Sequence, residues 1–115
     1  MMIPSITMKD GRVDTVLGSG GSKRIKTAVL QVLVNIIDCG CSLKEAVELS
    51  RLHYDEGVVH VEPGIPADII ETARRHYKLN MWSEKNMYFG GVHCVNSRME
   101  GWGDSRRGGC FVAER

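Results

Sequence analysis

The sequence predicts an α+β domain: an N-terminal β-hairpin, about three helices, then antiparallel strands towards the C-terminus. Three observations carry that reading. Asp10-Gly11 sits between two β-rich runs, a long doubly apolar helical segment follows Ser22, and strand-like residues return after Tyr88. No repeat, low-complexity tract or linker divides residues 1–115, so one domain is expected.

Taking the elements in order, Ile3 to Met8 and Arg12 to Leu17 flank Lys9-Asp10-Gly11. Asp-Gly in that setting signals a hairpin, because a type I′ turn needs positive φ at both central positions. Ser22 is expected to open a helix that runs to about Cys39, with Gly40 as the residue just past its end. Ile25, Val29, Val32, Leu33 and Ile36 form one apolar stripe on it, and Leu30, Val34 and Ile37 form a second. A helix apolar on two faces is expected to be covered on both. Ser42-Leu43-Lys44-Glu45 reads as a capping box for a second helix ending near Ser50. Val58 to Val61 reads as a strand. Pro66 suits the first position of a third helix to about His76, with Ile69, Ile70, Ala73 and Tyr77 buried. Tyr88 to Val95 reads as a strand. After a turn at Asn96 to Glu100, Trp102 to Asp104 and Gly109 to Ala113 are expected to return beside it.

The bulk composition excludes several classes. With 43% hydrophobic and 25% charged residues among 115, the chain is an ordinary globular one. A net charge of +1 gives no electrostatic case for nucleic acid. Lys23-Arg24-x-Lys26, Arg74-Arg75 and Arg106-Arg107 are compact basic clusters whose default is solvated surface. The apolar run from Ala28 to Ile37 is broken by Gln31 and Asn35 and is too short for a bilayer, so no membrane partner is expected. Met1-Met2-Ile3-Pro4 lacks the basic start of a signal peptide, which leads to the expectation of reduced cysteines and a cytoplasmic location.

The segment most suited to chemistry is Leu17-Gly18-Ser19-Gly20-Gly21-Ser22-Lys23-Arg24-Ile25, a glycine-rich turn before a helix. Such a turn lets backbone N–H groups converge on an anion, or on an oxyanion that develops during a reaction. The plainer reading is a tight strand-to-helix connection with Ser22 as N-cap. Neither a P-loop nor a dinucleotide fingerprint is present, so an oxyanion role stands ahead of phosphate binding. Cys39-x-Cys41, with His93-Cys94 and Cys110 far downstream, has poor metal-ligand spacing. No metal or cofactor is expected, and the cysteines read as buried thiols. His53, His60, His76 and His93 are scattered and read as packing or surface residues. Within Gly103-Asp104-Ser105-Arg106-Arg107-Gly108-Gly109, Asp104 is expected to fix the turn and pair with Arg106.

In order, several segments resemble the γ-glutamyltransferases (γ-glutamyltranspeptidases). They are Pro4-Ser5-Ile6-Thr7-Met8-Lys9-Asp10-Gly11, the glycine turn through Ile25, and Leu30-Gln31-Val32-Leu33-Val34-Asn35-Ile36-Ile37-Asp38. Glu45-Ala46-Val47, Arg51-Leu52-His53, Val61-Glu62, Phe89-Gly90 and Asp104 to Gly109 continue the match over nearly the whole chain. The resemblance implies an N-terminal-nucleophile hydrolase with an αββα sandwich, of which this chain is the C-terminal part of the small subunit. In such enzymes a precursor cleaves itself, and the new N-terminal Thr attacks a γ-glutamyl amide such as glutathione. The acyl group then passes to water or to an amine.

The resemblance assigns the oxyanion-hole N–H groups to Gly20 and Gly21. The common family form Gly-Ser-Pro-Gly-Gly-Ser-Arg has a Pro that is missing here, and Lys23 is added before Arg24. An ungapped alignment therefore shifts the pair to Gly21 and Ser22. The nucleophilic Thr and the paired serines of the family fall upstream of Met1. Thr7 and Thr15 lie inside the hairpin strands, where cleavage would destroy the sheet. The expectation is a chain with half an oxyanion site and no attacking group. It would leave an apolar helix face and an open sheet edge for a partner: a homo-oligomer, or a complementary segment carrying the nucleophile. A γ-glutamyl small molecule is the expected ligand. The alternatives are a non-catalytic assembly or acidic-ligand-binding domain that retains the fold fragment, and a fragment with no independent activity.

Overall fold

The computed structural model describes residues 3–21 and 23–114, so the expected N-cap Ser22 lies outside the described residues. In chain order the elements are β1 (Ser5–Lys9), β2 (Arg12–Gly20), α1 (Ile25–Ile37), α2 (Leu43–Glu48), β3 (Leu52–Asp55), β4 (Val58–Val61), α3 (Ala67–Arg74), β5 (Lys78–Met81), β6 (Gly91–Asn96) and β7 (Gly101–Trp102). Single 3-10 turns occupy Met87–Phe89 and Ser105–Arg107.

The hairpin forms as its turn chemistry requires, with Asp10 at φ 52° and Gly11 at φ 77°. It is two strands of an antiparallel sheet in the order β1-β2-β6-β7. A smaller sheet runs β3-β4-β5, antiparallel at the first pair and parallel at the second, where α3 makes the crossover. α1 and α2 lie together on one face of the larger sheet. Ile25, Ala28, Val29 and Val32 of α1 and Leu43, Ala46 and Val47 of α2 pack there against Leu17, Val92 and Cys94. The Ser42 hydroxyl accepts from the Glu45 N–H at 3.2 Å and donates to the Glu45 carboxylate at 3.0 Å, which closes the cap of α2.

The second apolar stripe of α1 is not covered, contrary to the expectation for a doubly apolar helix. Leu30, Val34 and Ile37 are 58, 39 and 63% exposed, because the sheet meets only the opposite face. The far face of the sheet is open too. Ile6, Val16 and Val95 stand in register across three strands at 61, 40 and 46% exposure. One helical layer on one sheet, with an apolar face on either side, is half of an α/β sandwich.

Other boundaries differ for local reasons. α1 stops at Ile37, where Asp38 caps it and Cys41 N–H reaches back to Asn35 O at 3.0 Å. α3 buries no residue. Ile70 and Ala73 are half-buried and Ile69 and Tyr77 exposed, since nothing packs over the small sheet at that side. β3 and β5 lie outside the strands the sequence predicts, each being four residues long with only two apolar side chains. Tyr88 and Phe89 belong to a 3-10 turn that precedes β6. Residues 109–113 form no strand: Phe111 and Cys110 press directly against Gly101 and Gly103 instead of pairing by a ladder. Of the cysteines, only Cys94 is buried, and Cys39 and Cys110 are exposed. Burial raises the Cys94 thiol to about 11.

Candidate functional site

The glycine turn lies at the end of β2, where Gly20 pairs with Gly91 of β6. Gly21 takes φ 125°, a backbone conformation that side chains rarely permit. The chain then enters α1 through Arg24, its N-cap residue by position, which makes no side-chain cap bond. The Ser19 hydroxyl ties the two strands, accepting from Gly91 N–H at 3.3 Å and donating to Gly20 O at 3.0 Å. Arg24 holds the neighbouring 3-10 turn: its Nε donates to Tyr88 O at 2.9 Å and its guanidinium lies 4.5 Å from the Tyr88 ring centre.

Beneath this surface four charged side chains meet: Arg51, Glu62, Asp104 and Arg106, all buried. Glu62 takes a two-pronged pair from Arg106, Nη2 to Oε1 at 2.6 Å and Nε to Oε2 at 2.8 Å. Asp104 is paired on both sides, with Arg51 Nη2 at 2.8 Å and Arg106 Nη1 at 3.1 Å. The cluster then reaches the backbone around the site. Arg51 Nη1 donates to Phe89 O at 3.0 Å, and Asp104 Oδ2 accepts from Val92 N–H at 2.8 Å. Those two contacts straddle Gly91, so the ion cluster fixes the strand that faces Gly20. Burial pulls the Arg51 pKa down against the opposing pull of Asp104. Burial acts the same way on Arg106, but hydrogen bonding to Glu62 and the charge of Asp104 outweigh it and raise its pKa.

The expected Asp104–Arg106 pairing is present, with Arg106 N–H also donating to Asp104 Oδ1 at 3.0 Å. The default of solvated surface fails for Arg106, which is buried, and holds for Arg107, which is exposed. Sequence reasoning missed Arg51 and Glu62 as partners. The signal was there: an acid directly after the apolar run Val58 to Val61 is carried inward with it. Glu48 was missed as well. It receives Ser105 Oγ–H at 2.6 Å, Ser105 N–H at 3.0 Å and the Trp102 indole N–H at 2.9 Å, anchoring the loop that carries Arg106. Burial alone would raise its carboxyl; these bonds, with Lys85, hold it at about 2.

His53 is a buried packing residue, as expected, yet it makes a pair that chain spacing does not suggest. Its Nδ1 lies 2.6 Å from Thr27 Oγ1, and its buried Nε2 meets no partner among the described residues. Burial lowers its pKa. Gly20 and Gly21 come together with Arg107 at the turn, and the atoms nearest to them belong to Arg107, Gly90 and Ile25 rather than to a cysteine.

Comparison with known proteins points one way. The family model described as gamma-glutamyltranspeptidase matches residues 1–113. An acylase ACY 1 proenzyme from Pseudomonas sp. (strain SE83) is 40% identical over 77 residues, which are 65% of this chain and 14% of that protein. The glutathione hydrolase proenzyme of Escherichia coli (strain K12) is 42% identical over 74 residues, 61% of this chain and 12% of the relative. The solved gamma-glutamyltranspeptidase from Pseudomonas nitroreducens, complexed with L-DON, superposes with a TM-score of 0.81 at 30% identity, over 99% of this chain and 62% of that one. The matched segment thus amounts to 12 to 14% of the length of these two sequence relatives.

Proposed function

The chain belongs to the gamma-glutamyltranspeptidase family, and from that premise we propose that it forms the oxyanion side of an acyl-transfer site acting on γ-glutamyl amides. In this reading Gly20 and Gly21 donate backbone N–H groups to the oxyanion that forms as the amide carbonyl is attacked. Gly21 and Ser22 take that role if the alignment is ungapped. The attacking hydroxyl comes from a Thr-led segment that completes the sandwich. It adds to the carbonyl carbon, the amine leaves with a proton, and water or a second amine releases the acyl group.

The observation that carries this reading is the junction of Gly20, Gly21 and Gly91 at the entrance to α1, held from below by buried charges. The completing segment is supported by the two open apolar faces, Leu30-Val34-Ile37 on α1 and Ile6-Val16-Val95 on the sheet.

The test is release of p-nitroaniline from γ-glutamyl-p-nitroanilide. The purified chain is assayed alone and after mixing with a Thr-led upstream segment of a relative. We expect release only on mixing. Release by the chain alone would place the nucleophile within it. Silence in both, despite a formed complex, would overturn the catalytic reading and favour a binding or assembly domain.

A further inference from the structure

We propose that Cys39 and Cys41 form a thiol–disulfide exchange site, a dithiol that low-molecular-weight disulfides oxidise to an intrachain bridge. The pair lies at the far end of α1 from the glycine turn, about 20 Å away at 1.5 Å of rise per residue over Ile25–Ile37. It is separate from the acyl-transfer site and does not depend on it.

The corner between α1 and α2 sets the two thiols together. Cys39 N–H reaches Val34 O at 3.2 Å and Cys41 N–H reaches Asn35 O at 3.0 Å, so the end of α1 anchors both residues. Between them Gly40 turns the chain in the left-handed region, at φ 67°. Two Cα–Cα steps of about 3.8 Å, bent at that turn, leave the two Cα atoms within about 7 Å of each other. A disulfide spans about 4.4–6.8 Å between Cα atoms. The thiols differ in depth. Cys39 is exposed, while Cys41 is half-buried and packs against the core cluster. Burial first, then the Glu45 carboxylate and the Cys39 sulfur, raise the Cys41 pKa, and the last of these causes means that the sulfurs feel one another. Cys39 is thus the thiol that a disulfide in solution meets, and Cys41 the one behind it that resolves the adduct. Cys110, also exposed, has only Gly109 and Phe111 beside it in the chain.

The exchange runs in two steps. The Cys39 thiolate attacks one sulfur of the small disulfide, whose S–S bond breaks. The outer sulfur leaves as a thiolate and takes a proton, and Cys39 carries a mixed disulfide. The Cys41 thiolate then attacks Cys39 Sγ, the Cys39–Cys41 bond forms, and the second small thiolate leaves and is protonated. The two cysteines give up two electrons and two protons, and the small disulfide becomes two thiols. A bridge that encloses a single residue gains little from loop closure, so excess small thiol should reverse the reaction.

The probe is 2-hydroxyethyl disulfide, which has no γ-glutamyl group, so the result is independent of any acyl transfer. The Cys110→Ser chain, which lacks the other exposed thiol, is incubated with it at about pH 8.5, near the ordinary thiol pKa. Samples are quenched in acid, alkylated and read by mass spectrometry of the peptide that carries Cys39 and Cys41. We expect that peptide to lose two protons after a transient mixed disulfide, and 2-mercaptoethanol to restore it. With Cys41→Ser added, the reaction should stop at a stable mixed disulfide on Cys39. With Cys39→Ser added instead, the half-buried Cys41 should react about tenfold more slowly. A mixed disulfide on Cys39 that persists without ring closure when both cysteines are present overturns the proposal. Equal rates for the two thiols overturn it, as does a disulfide-linked dimer through Cys39. So does a folded chain left unmodified over a time in which the urea-unfolded chain reacts.

Discussion

Arg106→Leu and Arg107→Ala remove adjacent arginines, and the structure assigns them opposite consequences for stability. The leucine variant deletes five side-chain hydrogen bonds, three to the Glu62 and Asp104 carboxylates and two to the carbonyls of Val47 and Leu49. Asp104 stays buried with Arg51 as its one remaining ion-pair partner among the described residues, and Glu62 stays buried with backbone N–H groups alone. Breaking a buried pair from one side costs about 3–5 kcal/mol, against a total stability of about 5–15 kcal/mol for a domain of this size. With an unfolding entropy of about 2.1 cal/mol/K per residue, the midpoint should fall by about 12–20 °C. Arg107→Ala removes an exposed side chain whose single hydrogen bond is 3.4 Å long, so its midpoint should stay within about 2 °C. Thermal and urea unfolding followed by Trp82 and Trp102 fluorescence and by circular dichroism reads both. A loss under about 1 kcal/mol for Arg106→Leu, or equal losses for the two variants, would refute the division between a structural and a free arginine.

Three further outcomes are expected. Glu48 has a folded pKa of about 2 against an ordinary 4.5, so its stabilisation is complete above about pH 4.5 and is lost as the pH falls towards 2. Acid titration of stability should show a limb of about 3 kcal/mol in that window that Glu48→Gln removes. Leu30→Asp changes a side chain that touches mainly water in this chain, so unfolding should move by less than about 0.5 kcal/mol, whereas recovery of activity with the Thr-led segment should be lost. Gly21→Ala forces a Cβ onto φ 125° and should cost about 1–3 kcal/mol in unfolding measurements, along with any activity restored by mixing.

The parts of the fold governed by local chemistry were legible in the sequence. Asp10-Gly11 specifies its turn, Ser42 its cap, and the Ile25-Val29-Val32 stripe its helix face, each through neighbours within a few residues. What was not legible depends on distant neighbours. Leu30 and Val34 look identical to core residues, and their exposure follows from having no layer on that side. Ile69 and Tyr77 promised a buried face that the narrow sheet β3-β4-β5 does not supply. At the site, the glycine turn could be read directly. The position of Glu62 directly after the strand Val58–Val61 hinted that it points inward, but the ion partners of Arg51 and Glu62 could not be read, because they lie 53 and 44 positions away, at Asp104 and Arg106 respectively. The contrast between Arg106 and Arg107 is set by which one faces Glu62, a matter of three-dimensional placement that composition does not encode.

The buried charges raise the question of why an apolar cluster does not stand in their place, since a buried ion pair can often be exchanged for well-packed hydrophobes at little cost. Here the carboxylates and guanidiniums also serve the backbone. Val47 O, Leu49 O and Phe89 O accept from arginines, and Arg51, Val92 and Arg106 donate N–H groups to carboxylates. Five of those six backbone groups, all but the carbonyl of half-exposed Leu49, would be left buried without partners, at roughly 1–3 kcal/mol apiece. Replacing all four charged residues with apolar ones of similar volume should therefore destabilise the chain by more than Arg106→Leu alone, by about 6 kcal/mol or more. Recovery of stability in that variant would mean that the cluster is merely tolerated. Its failure would mean that direction, which hydrophobic contact lacks, is what sets Gly91 opposite Gly20 and keeps the turn in register.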